Sequence, residues 1–159
     1  MDIVRVLLVC TANICRSPMA LAIGNHLAVS AGAAIRYEFD AAGTHAAAGG
    51  ALPDPRTCKV LERAGYNVDM RRARRVRTRD LEGSDLVLAM DRGNLEELRR
   101  QCPPDHASKL GLLLDFAPGL EGTEIPDPYF GNVAGFERVL ELCEAGVRGL
   151  LWSDRRHRA

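Results

Sequence analysis

Near the start of the chain, a cysteine is followed six positions later by an arginine, and a residue with a hydroxyl group comes directly after the arginine. They are Cys10, Arg16 and Ser17, in the segment Cys-Thr-Ala-Asn-Ile-Cys-Arg-Ser. A loop that curls into a helix N-terminus directs several backbone N–H groups at one point, where they bind a phosphate-like oxyanion. The same field stabilises a thiolate, and an arginine can bridge two phosphoryl oxygens. The spacing therefore indicates a nucleophilic Cys10 and an oxyanion-binding Arg16, although a buried cysteine followed by a surface arginine is the alternative.

Other residues could support this chemistry. The Ser17 hydroxyl could donate to a thiolate, and Asn13 suits a turn position with positive φ. Attack on phosphorus also needs an acid for the leaving oxygen, and Asp127 is the best candidate. Two prolines flank Asp127, and Tyr129 could form an aromatic wall beside it. An ordinary Asp-Pro turn is the alternative interpretation of Asp127.

Alternating strand and helix patterns surround these residues. Short apolar runs predict strands over 3–9, about 36–41, 86–90 and 109–114. Helix signals begin at Ser17-Pro18, at Pro53-Asp54-Pro55 and after 91–94, and a long apolar stripe predicts a last helix from Val133 to Leu151. Strands that alternate with helices predict an α/β fold with a doubly wound parallel sheet, in a single domain over 1–159. Ligands bind such sheets at the carboxyl ends of the strands, where the Cys10 segment lies.

Composition narrows the class of protein. The 159 residues include 47% hydrophobic and 26% charged residues, and the formal net charge is zero. This argues against a nucleic-acid binder held by bulk charge, and no apolar run is long enough for a membrane span. The N-terminus has no signal-peptide pattern, and five cysteines without a Cys-x2-Cys pair predict free thiols rather than disulfides or zinc. We therefore expect a cytoplasmic, metal-free protein that needs no cofactor and contacts neither nucleic acid nor membrane.

These motifs together resemble the low-molecular-weight protein tyrosine phosphatases over nearly the whole chain. The matching segments are 10–18, Ala42-Gly43-Thr44, Asp54-Pro55-Arg56, Met90-Asp91 with Asn94, and Asp127-Pro128-Tyr129. The resemblance implies a four-stranded parallel sheet flanked by helices, a flavodoxin-like three-layer sandwich. It also implies metal-free hydrolysis of phosphomonoesters, with phosphotyrosine in proteins as the substrate.

The resemblance assigns a role to each site residue. It makes Cys10 the nucleophile that forms a phosphocysteine, and it makes Asp127 the acid that later activates water. Arg16 binds the phosphoryl group, while Asn13 and Ser17 hold the loop and assist the thiolate. The remaining substrate-binding positions are Thr11, Ala12, Ile14, Cys15, Ala47, Tyr129 and Phe130. The expected partners are phosphate-like oxyanions and a phosphotyrosine protein such as a tyrosine kinase, bound by a monomer.

Two positions depart from the family pattern. Ala47 stands about where many members carry a bulky or aromatic residue that lines the cleft, so we expect weaker stacking on phosphotyrosine. Phe130 follows Tyr129 where some eukaryotic members have a second tyrosine, which removes one phosphorylation site. Cys15, in the same loop as Cys10, predicts redox sensitivity through a protective disulfide, with simple packing beneath the loop as the alternative.

Three other functions share parts of this pattern. Arsenate reductases of the same fold need further cysteines after the third strand, and residues 80–98 contain none. Protein-arginine phosphatases carry a threonine at the position of Ile14. A non-catalytic phosphate-binding module would lack Cys10 or Asp127. Separately, the arginine-rich stretch Arg71–Arg79 is interpreted as a solvated surface, or as a steering surface for acidic phosphosubstrates.

Overall fold

The computed structural model describes residues 2–31 and 35–158. Within them, four parallel strands form one sheet in the order β2-β1-β3-β4. The strands are β1 (Asp2–Cys10), β2 (Ile35–Gly43), β3 (Leu86–Ala89) and β4 (Leu110–Leu112). This sheet confirms the predicted parallel topology, in which the chain order reverses beside β1.

Helices cover both faces of the sheet. They are α1 (Arg16–Ala31), α2 (Pro55–Arg63), α3 (Thr78–Gly83), α4 (Arg92–Gln101) and α5 (Val133–Arg158), with 3₁₀ helices at Pro104–Lys109 and Leu113–Phe116. Side chains of β1 alternate between two hydrophobic clusters, because successive strand residues point to opposite faces. Val6 and Leu8 lie in the cluster that includes α1 and α5, whereas Leu7 and Val9 lie in the cluster of α3 and α4. The predicted doubly wound α/β class is therefore confirmed.

Two helix starts near the carboxyl edge of the sheet follow from side-chain caps. Asp54 accepts a hydrogen bond from the backbone N–H of Arg56 at 2.8 Å, and Pro55 occupies the first turn of α2. Asp91 accepts from the backbone N–H of Asn94 at 2.8 Å and caps α4. Each cap satisfies a backbone donor that the helix itself leaves unpaired. Both helices therefore begin at the carboxyl edge of the sheet.

The fourth strand is shorter than predicted. The sequence indicates a strand over 109–114, but β4 ends at Leu112 and the chain turns into a 3₁₀ helix. Asp115 causes the turn, because its carboxylate accepts from the backbone N–H groups of Leu112 at 3.4 Å and Gly122 at 2.8 Å. Helix α3, which the sequence analysis did not predict, is likewise a single short turn. Asp80 in its first turn accepts from the backbone N–H of Arg77 at 2.8 Å.

Candidate active site

The loop between β1 and α1 is held in place because backbone N–H groups of neighbouring segments donate to its carbonyl groups. The carbonyl of Cys10 accepts from Thr44 N–H at 2.9 Å, that of Thr11 from His45 N–H at 2.9 Å, and that of Ile14 from Asp54 N–H at 2.8 Å. Asn13 has φ 59°, as the sequence analysis expected of its position. Because these carbonyls point outward, the loop is free to direct N–H groups inward. We call residues 10–17 the phosphate loop.

Three donors surround the sulfur of Cys10. The backbone N–H groups of Asn13 and Ser17 lie 3.3 and 3.4 Å from Sγ, and the Ser17 hydroxyl lies 3.0 Å from it. Asn13 Nδ2 donates to Ser17 Oγ at 2.6 Å, and the Ser17 hydroxyl proton has two acceptors within reach, the sulfur at 3.0 Å and the Ala42 carbonyl at 3.4 Å. Cys10 is 2% exposed. Converging hydrogen-bond donors at one point stabilise negative charge on the atom that they surround.

Arg16 is buried beneath the loop and held by groups from two other segments. Its Nη1 donates to Asp91 Oδ2 at 2.7 Å and to the Ile125 carbonyl at 2.9 Å. Its Nη2 contacts Thr11 Oγ1 at 3.3 Å and faces the cavity. Burial lowers the pKa of Arg16, but the negative charges of Cys10 and Asp91 raise it more, so the guanidinium stays charged. The residue is a fixed positive charge beside the thiol.

Asp91 and Asn94 are site residues to which the sequence analysis gave no role. Asp91 uses one carboxylate oxygen to cap α4 and the other to bind Arg16. Asn94 is buried, and its Nδ2 donates to Thr11 Oγ1 at 3.0 Å. Only part of the signal was present in the sequence: Asp91 directly follows a predicted strand, but the pairing of that strand with β1 is seen only in the folded chain.

Asp127 lies on the opposite side of the cavity from the phosphate loop. Its carboxylate is half exposed, and Oδ2 lies 3.9 Å from Arg16 Nη2. Oδ1 accepts from the backbone N–H of Tyr129 at 3.1 Å. The base of this segment is anchored, since Ile125 is buried and its N–H donates to the Met90 carbonyl at 2.8 Å. We call residues 125–130 the acid loop.

The aromatic rings of the acid loop form one wall. Tyr129 and Phe130 meet edge to face, with ring centroids 5.0 Å apart. Phe130 is 95% exposed and Tyr129 is 44% exposed, so the wall is open to solvent. The Arg56 guanidinium lies over the Tyr129 ring at 5.4 Å and over the Phe136 ring at 4.5 Å. Arg56 also forms two hydrogen bonds to the buried carboxylate of Asp54, at 3.0 and 2.9 Å.

A cavity of about 350 Å³ lies between the two loops. It is lined by Cys10, Thr11, Ala12, Ile14, Cys15, Arg16, Asp127, Tyr129 and Phe130. Every one of these residues is among those singled out from the sequence. Asn13 and Ser17, which the sequence analysis also placed among the substrate-binding residues, are buried and are not among the lining residues. Their hydrogen bonds instead hold the loop and the sulfur.

Ala47 does not line the cavity. It is exposed and lies in a turn closed by the hydrogen bond from Gly50 N–H to its carbonyl at 3.2 Å. The sequence analysis placed Ala47 among the substrate-binding residues, but it is not among the residues that line the cavity.

Cys15 lines the cavity as a thiol rather than as a second thiolate. Burial raises its pKa to about 12, and the negative charges of Asp54, Cys10 and Asp127 act in the same direction. Within the described part of the chain, the five cysteines are free and no group of His, Cys, Asp and Glu side chains is arranged to hold a metal ion. In the same part of the chain, no helix has the length and apolar character needed to cross a bilayer.

Such a site, on a doubly wound sheet, is that of a cysteine-dependent phosphatase. The model of the low molecular weight phosphotyrosine protein phosphatase family matches residues 5–158. A low molecular weight protein-tyrosine-phosphatase of Streptomyces coelicolor is 43% identical over 154 residues, covering 95% of this chain and 93% of its own length. The chain therefore belongs to the low molecular weight phosphotyrosine protein phosphatase family, as the sequence motifs indicated.

Solved structures agree with this assignment. The crystal structure of YfkJ from Bacillus subtilis is 35% identical and has a TM-score of 0.88, covering 100% of this chain and 99% of that chain. The YwlE arginine phosphatase from Geobacillus stearothermophilus is 25% identical and has a TM-score of 0.82, covering 98% and 95% of the two chains. The fold thus occurs with more than one phosphorylated substrate, and substrate choice has to be argued from the cavity.

Proposed function

We propose that the protein hydrolyses phosphotyrosine in proteins through a phosphocysteine formed on Cys10. The observation that carries this proposal is the convergence of two backbone N–H groups and the Ser17 hydroxyl on the Cys10 sulfur, beside a buried Arg16. Such an arrangement stabilises a thiolate and binds the phosphoryl dianion in the same concavity. Asp127 faces the same cavity and supplies the acid.

In the first step, the loop N–H groups and Arg16 bind the phosphoryl oxygens and the Cys10 thiolate attacks phosphorus. The sulfur–phosphorus bond forms as the bond from phosphorus to the phenolic oxygen breaks. Asp127, in its protonated form, gives its proton to that oxygen, so that the tyrosine leaves as a neutral phenol. The phosphoryl group keeps its two negative charges as it passes to sulfur, and the charge that the thiolate carried ends on the Asp127 carboxylate. The fixed charge of Arg16 stabilises the phosphoryl oxygens during the transfer.

In the second step, the Asp127 carboxylate takes a proton from water while the water oxygen attacks phosphorus. The sulfur–phosphorus bond breaks and inorganic phosphate forms. The electron pair returns to sulfur, where the N–H groups of Asn13 and Ser17 and the Ser17 hydroxyl stabilise the thiolate again. Asp127 thereby ends the cycle protonated, as it began.

The lining of the cavity supports an aryl phosphate over its competitors. Ile14, Tyr129 and Phe130 give the entrance an apolar surface that suits a phenyl ring. The Ile14 side chain has no hydrogen-bonding group for a guanidinium or for an attacking water, which argues against phosphoarginine as the substrate. The cavity residues include no second ionised thiol, because the pKa of Cys15 is raised to about 12, so a disulfide cascade that reduces arsenate is disfavoured.

Several finer expectations belong to this proposal and stay predictions. They are a cytoplasmic location, a monomeric state, a single domain over 1–159, a phosphoprotein partner such as a tyrosine kinase, and no binding of nucleic acid or membrane. The free cysteines support the cytoplasmic location, because thiols persist in a reducing compartment. Size-exclusion chromatography and cell fractionation test these points.

The deciding experiment measures kcat/KM for three versions of one peptide, which carry phosphotyrosine, phosphoserine or phosphoarginine at the same position. In parallel, the enzyme is quenched with acid during turnover and analysed by mass spectrometry. We expect the highest kcat/KM for phosphotyrosine and a phosphoryl group on Cys10 during turnover. Faster hydrolysis of phosphoarginine would overturn the substrate assignment. A phosphoryl group on another residue, or on none, would overturn the mechanism.

A further inference from the structure

The arginine-rich segment, residues 71–79, pairs with the end of β2 at Gly43 and contacts the phosphate loop through the hydrogen bond from Arg74 N–H to Asn13 Oδ1. Arg75 pairs with Gly43 in a parallel bridge, with Gly43 N–H donating to the Arg74 carbonyl and Val76 N–H donating to the Gly43 carbonyl, both at 2.9 Å. Gly43 is in turn the register partner of Cys10. Two strand spacings of about 4.8 Å therefore place the Arg75 backbone roughly 10 Å from the Cys10 backbone.

The arginines of this segment fall into two groups. Arg71 and Arg74 are neutralised, Arg71 by Asp69 and Asp40 and Arg74 by Asp40 and Asp80, at distances from 2.9 to 3.2 Å. These pairs, with the hydrogen bond from Arg74 N–H to Asn13 Oδ1 at 3.1 Å, fix the segment against the phosphate loop.

The second group, Arg72, Arg75, Arg77 and Arg79, forms no salt bridge within the described part of the chain, and Arg72 donates to the Gly50 carbonyl at 3.2 Å. Arg75 and Arg77 lie on either side of the buried Val76. Both are exposed, and among the residues that the structure describes neither side chain has an ion-pair partner. The backbone here is extended, so residues two apart point to the same side, while the buried Val76 between them points inward. The two guanidinium groups therefore present uncompensated positive charge to solvent on one side of a fixed backbone.

We propose that Arg75 and Arg77 bind acidic side chains that flank the phosphotyrosine in the substrate, which rests on the proposed phosphatase function. An extended peptide advances about 3.3 Å per residue, so the separation of roughly 10 Å corresponds to about three residues. Acidic side chains two to four residues from the phosphotyrosine are thus within reach while the phosphoryl group is bound at Cys10. Exposed, unpaired arginines attract such carboxylates without the cost of breaking an existing pair.

Neighbouring charge favours an acidic peptide over a nucleic acid. Three carboxylates surround the arginine-rich segment, and they pair with Arg71 and Arg74. They belong to Asp40, Asp69 and Asp80. A phosphate backbone carries one charge per nucleotide and would meet these carboxylates as well. A peptide with one or two acidic residues can meet Arg75 and Arg77 alone.

The test uses R75Q/R77Q, with R63Q/R99Q as a matched control. Arg63 and Arg99 are exposed and lie in the last turns of α2 and α4, away from the catalytic edge. Replacing both with glutamine changes the net charge of the protein by the same amount as R75Q/R77Q. Two phosphotyrosine peptides are compared, one with Asp and Glu two to four residues from the phosphotyrosine and one with Asn and Gln there. The readout is the ratio of kcat/KM for the acidic peptide to that for the amide peptide.

We expect the unsubstituted protein to prefer the acidic peptide about fivefold at low salt, since each exposed pair contributes a small factor. The preference should fall in roughly 0.5 M salt, where exposed charges are screened. R75Q/R77Q should lose it and R63Q/R99Q should keep it. A preference that survives in R75Q/R77Q, or that is absent from the unsubstituted protein, would overturn the proposal.

A binding measurement separates this proposal from the catalytic one. Calorimetry of the C10S protein, with and without R75Q/R77Q, gives the ratio of affinities for the same two peptides without any turnover. If phosphotyrosine is not hydrolysed but the affinity ratio still depends on Arg75 and Arg77, the proposed catalysis fails and the surface stands. Binding of a single-stranded oligonucleotide that depends on Arg75 and Arg77, with no peptide preference, would assign the surface to nucleic acid and overturn the inference.

Discussion

The phosphate loop and the acid loop face each other across one cavity, but they are held in different ways. Cys10 and Arg16 in the phosphate loop are each 2% exposed, and the loop's side chains and carbonyls bond to the segments around Thr44, Asp54, Arg74, Asp91 and Ile125. In the acid loop the Asp127 side chain is 50% exposed and Phe130 is 95% exposed. Only its base, at Ile125, is fixed by hydrogen bonds to Arg16 and Met90.

This contrast separates two tasks. Stabilising a thiolate and a phosphoryl dianion needs donors that are in place before the reaction, because reorganising them during the reaction would add to the barrier. Protonating a leaving group and contacting its ring need a surface that different substrates can approach. We therefore expect substitutions in the phosphate loop to lower turnover for all substrates. Substitutions around the acid loop should instead lower turnover by an amount that depends on the leaving group of the substrate.

The largest effect is expected from Cys10→Ser. A serine hydroxyl stays protonated in the same pocket, so turnover of every substrate should fall by about 10⁵-fold or more. Vanadate or phosphate should still bind with measurable affinity, since the loop N–H groups and Arg16 remain. Activity within a few-fold of the unsubstituted enzyme would show that Cys10 is not the nucleophile.

Asp127→Asn should give the next largest effect. Removing a general acid typically costs about 10²–10⁴-fold, and the cost rises with the basicity of the leaving group. Phenyl phosphate should therefore lose more activity than p-nitrophenyl phosphate, whose phenolate leaves without help. Steady-state rates for a series of aryl phosphates measure this slope. An equal loss for both substrates would argue that Asp127 acts on the phosphate loop rather than on the leaving oxygen.

The two cysteines of the phosphate loop predict a pH-dependent response to peroxide. Oxidation of Cys10 to a sulfenic acid can be followed by disulfide formation only if Cys15 attacks as a thiolate. Because the pKa of Cys15 is raised to about 12, its thiolate fraction increases about tenfold per pH unit below that value. Peptide mapping after peroxide treatment should find more Cys10–Cys15 disulfide at pH 8.5 than at pH 6.5, and more sulfinic acid on Cys10 at the lower pH. No linkage at either pH would mean that Cys15 only packs beneath the loop.

The sequence predicted most of the cavity because its residues are local to one loop or to one short motif. Cys10 to Arg16 follow directly after a strand, and Asp127 and Tyr129 lie in a single proline-flanked segment. The roles of Asp91 and Asn94 could not be predicted in the same way. They depend on the pairing of β1 with β3, which brings α4 against the phosphate loop only in the folded chain.

The elements that the sequence missed are short and depend on single side chains. Helix α3 and the 3₁₀ turn at Leu113–Phe116 are stabilised by Asp80 and Asp115. Neither turn is long enough to show a periodic apolar pattern, which is the main signal for a helix in a sequence. The division of the arginine-rich segment into paired and free side chains was equally hidden, because Asp40 reaches it from β2.

Arg56→Lys tests whether the acid loop is positioned from outside. Arg56 joins the buried Asp54, whose N–H binds the phosphate loop, to the ring of Tyr129. A lysine keeps the charge but loses the two-pronged contact and the flat stacking surface, so kcat/KM for phenyl phosphate should fall about fivefold. Arg138→Lys, at an exposed pair on α5, is the control and should leave the rate unchanged.

The same substitution carries a pH signature in stability. The hydrogen bonds from Arg56 lower the pKa of Asp54 below its ordinary value. A lowered pKa in the folded state stabilises the protein above the ordinary carboxyl range and loses that contribution as the pH falls through the folded value. The unfolding temperatures of the unsubstituted protein and of Arg56→Lys should therefore differ at pH 7 and become similar near pH 2. An equal separation at both pH values would mean that Asp54 is not the partner that matters.

The smallest effect is expected from Ala47→Trp, which adds an aromatic side chain to the exposed segment between His45 and Asp54. Ala47 lies in an exposed segment between His45, whose N–H binds Thr11, and Asp54, whose N–H binds Ile14, so the segment is anchored to the phosphate loop on both sides. An indole there can stack on the substrate ring, and one exposed aromatic contact should lower KM for phosphotyrosine about threefold. Because the contact forms equally in the bound substrate and in the transition state, kcat should not change. Val29→Trp, an exposed position at the far end of α1, adds the same side chain away from the cavity and should leave KM unchanged. A higher KM for phosphotyrosine would indicate that the indole blocks the entrance instead of lining it.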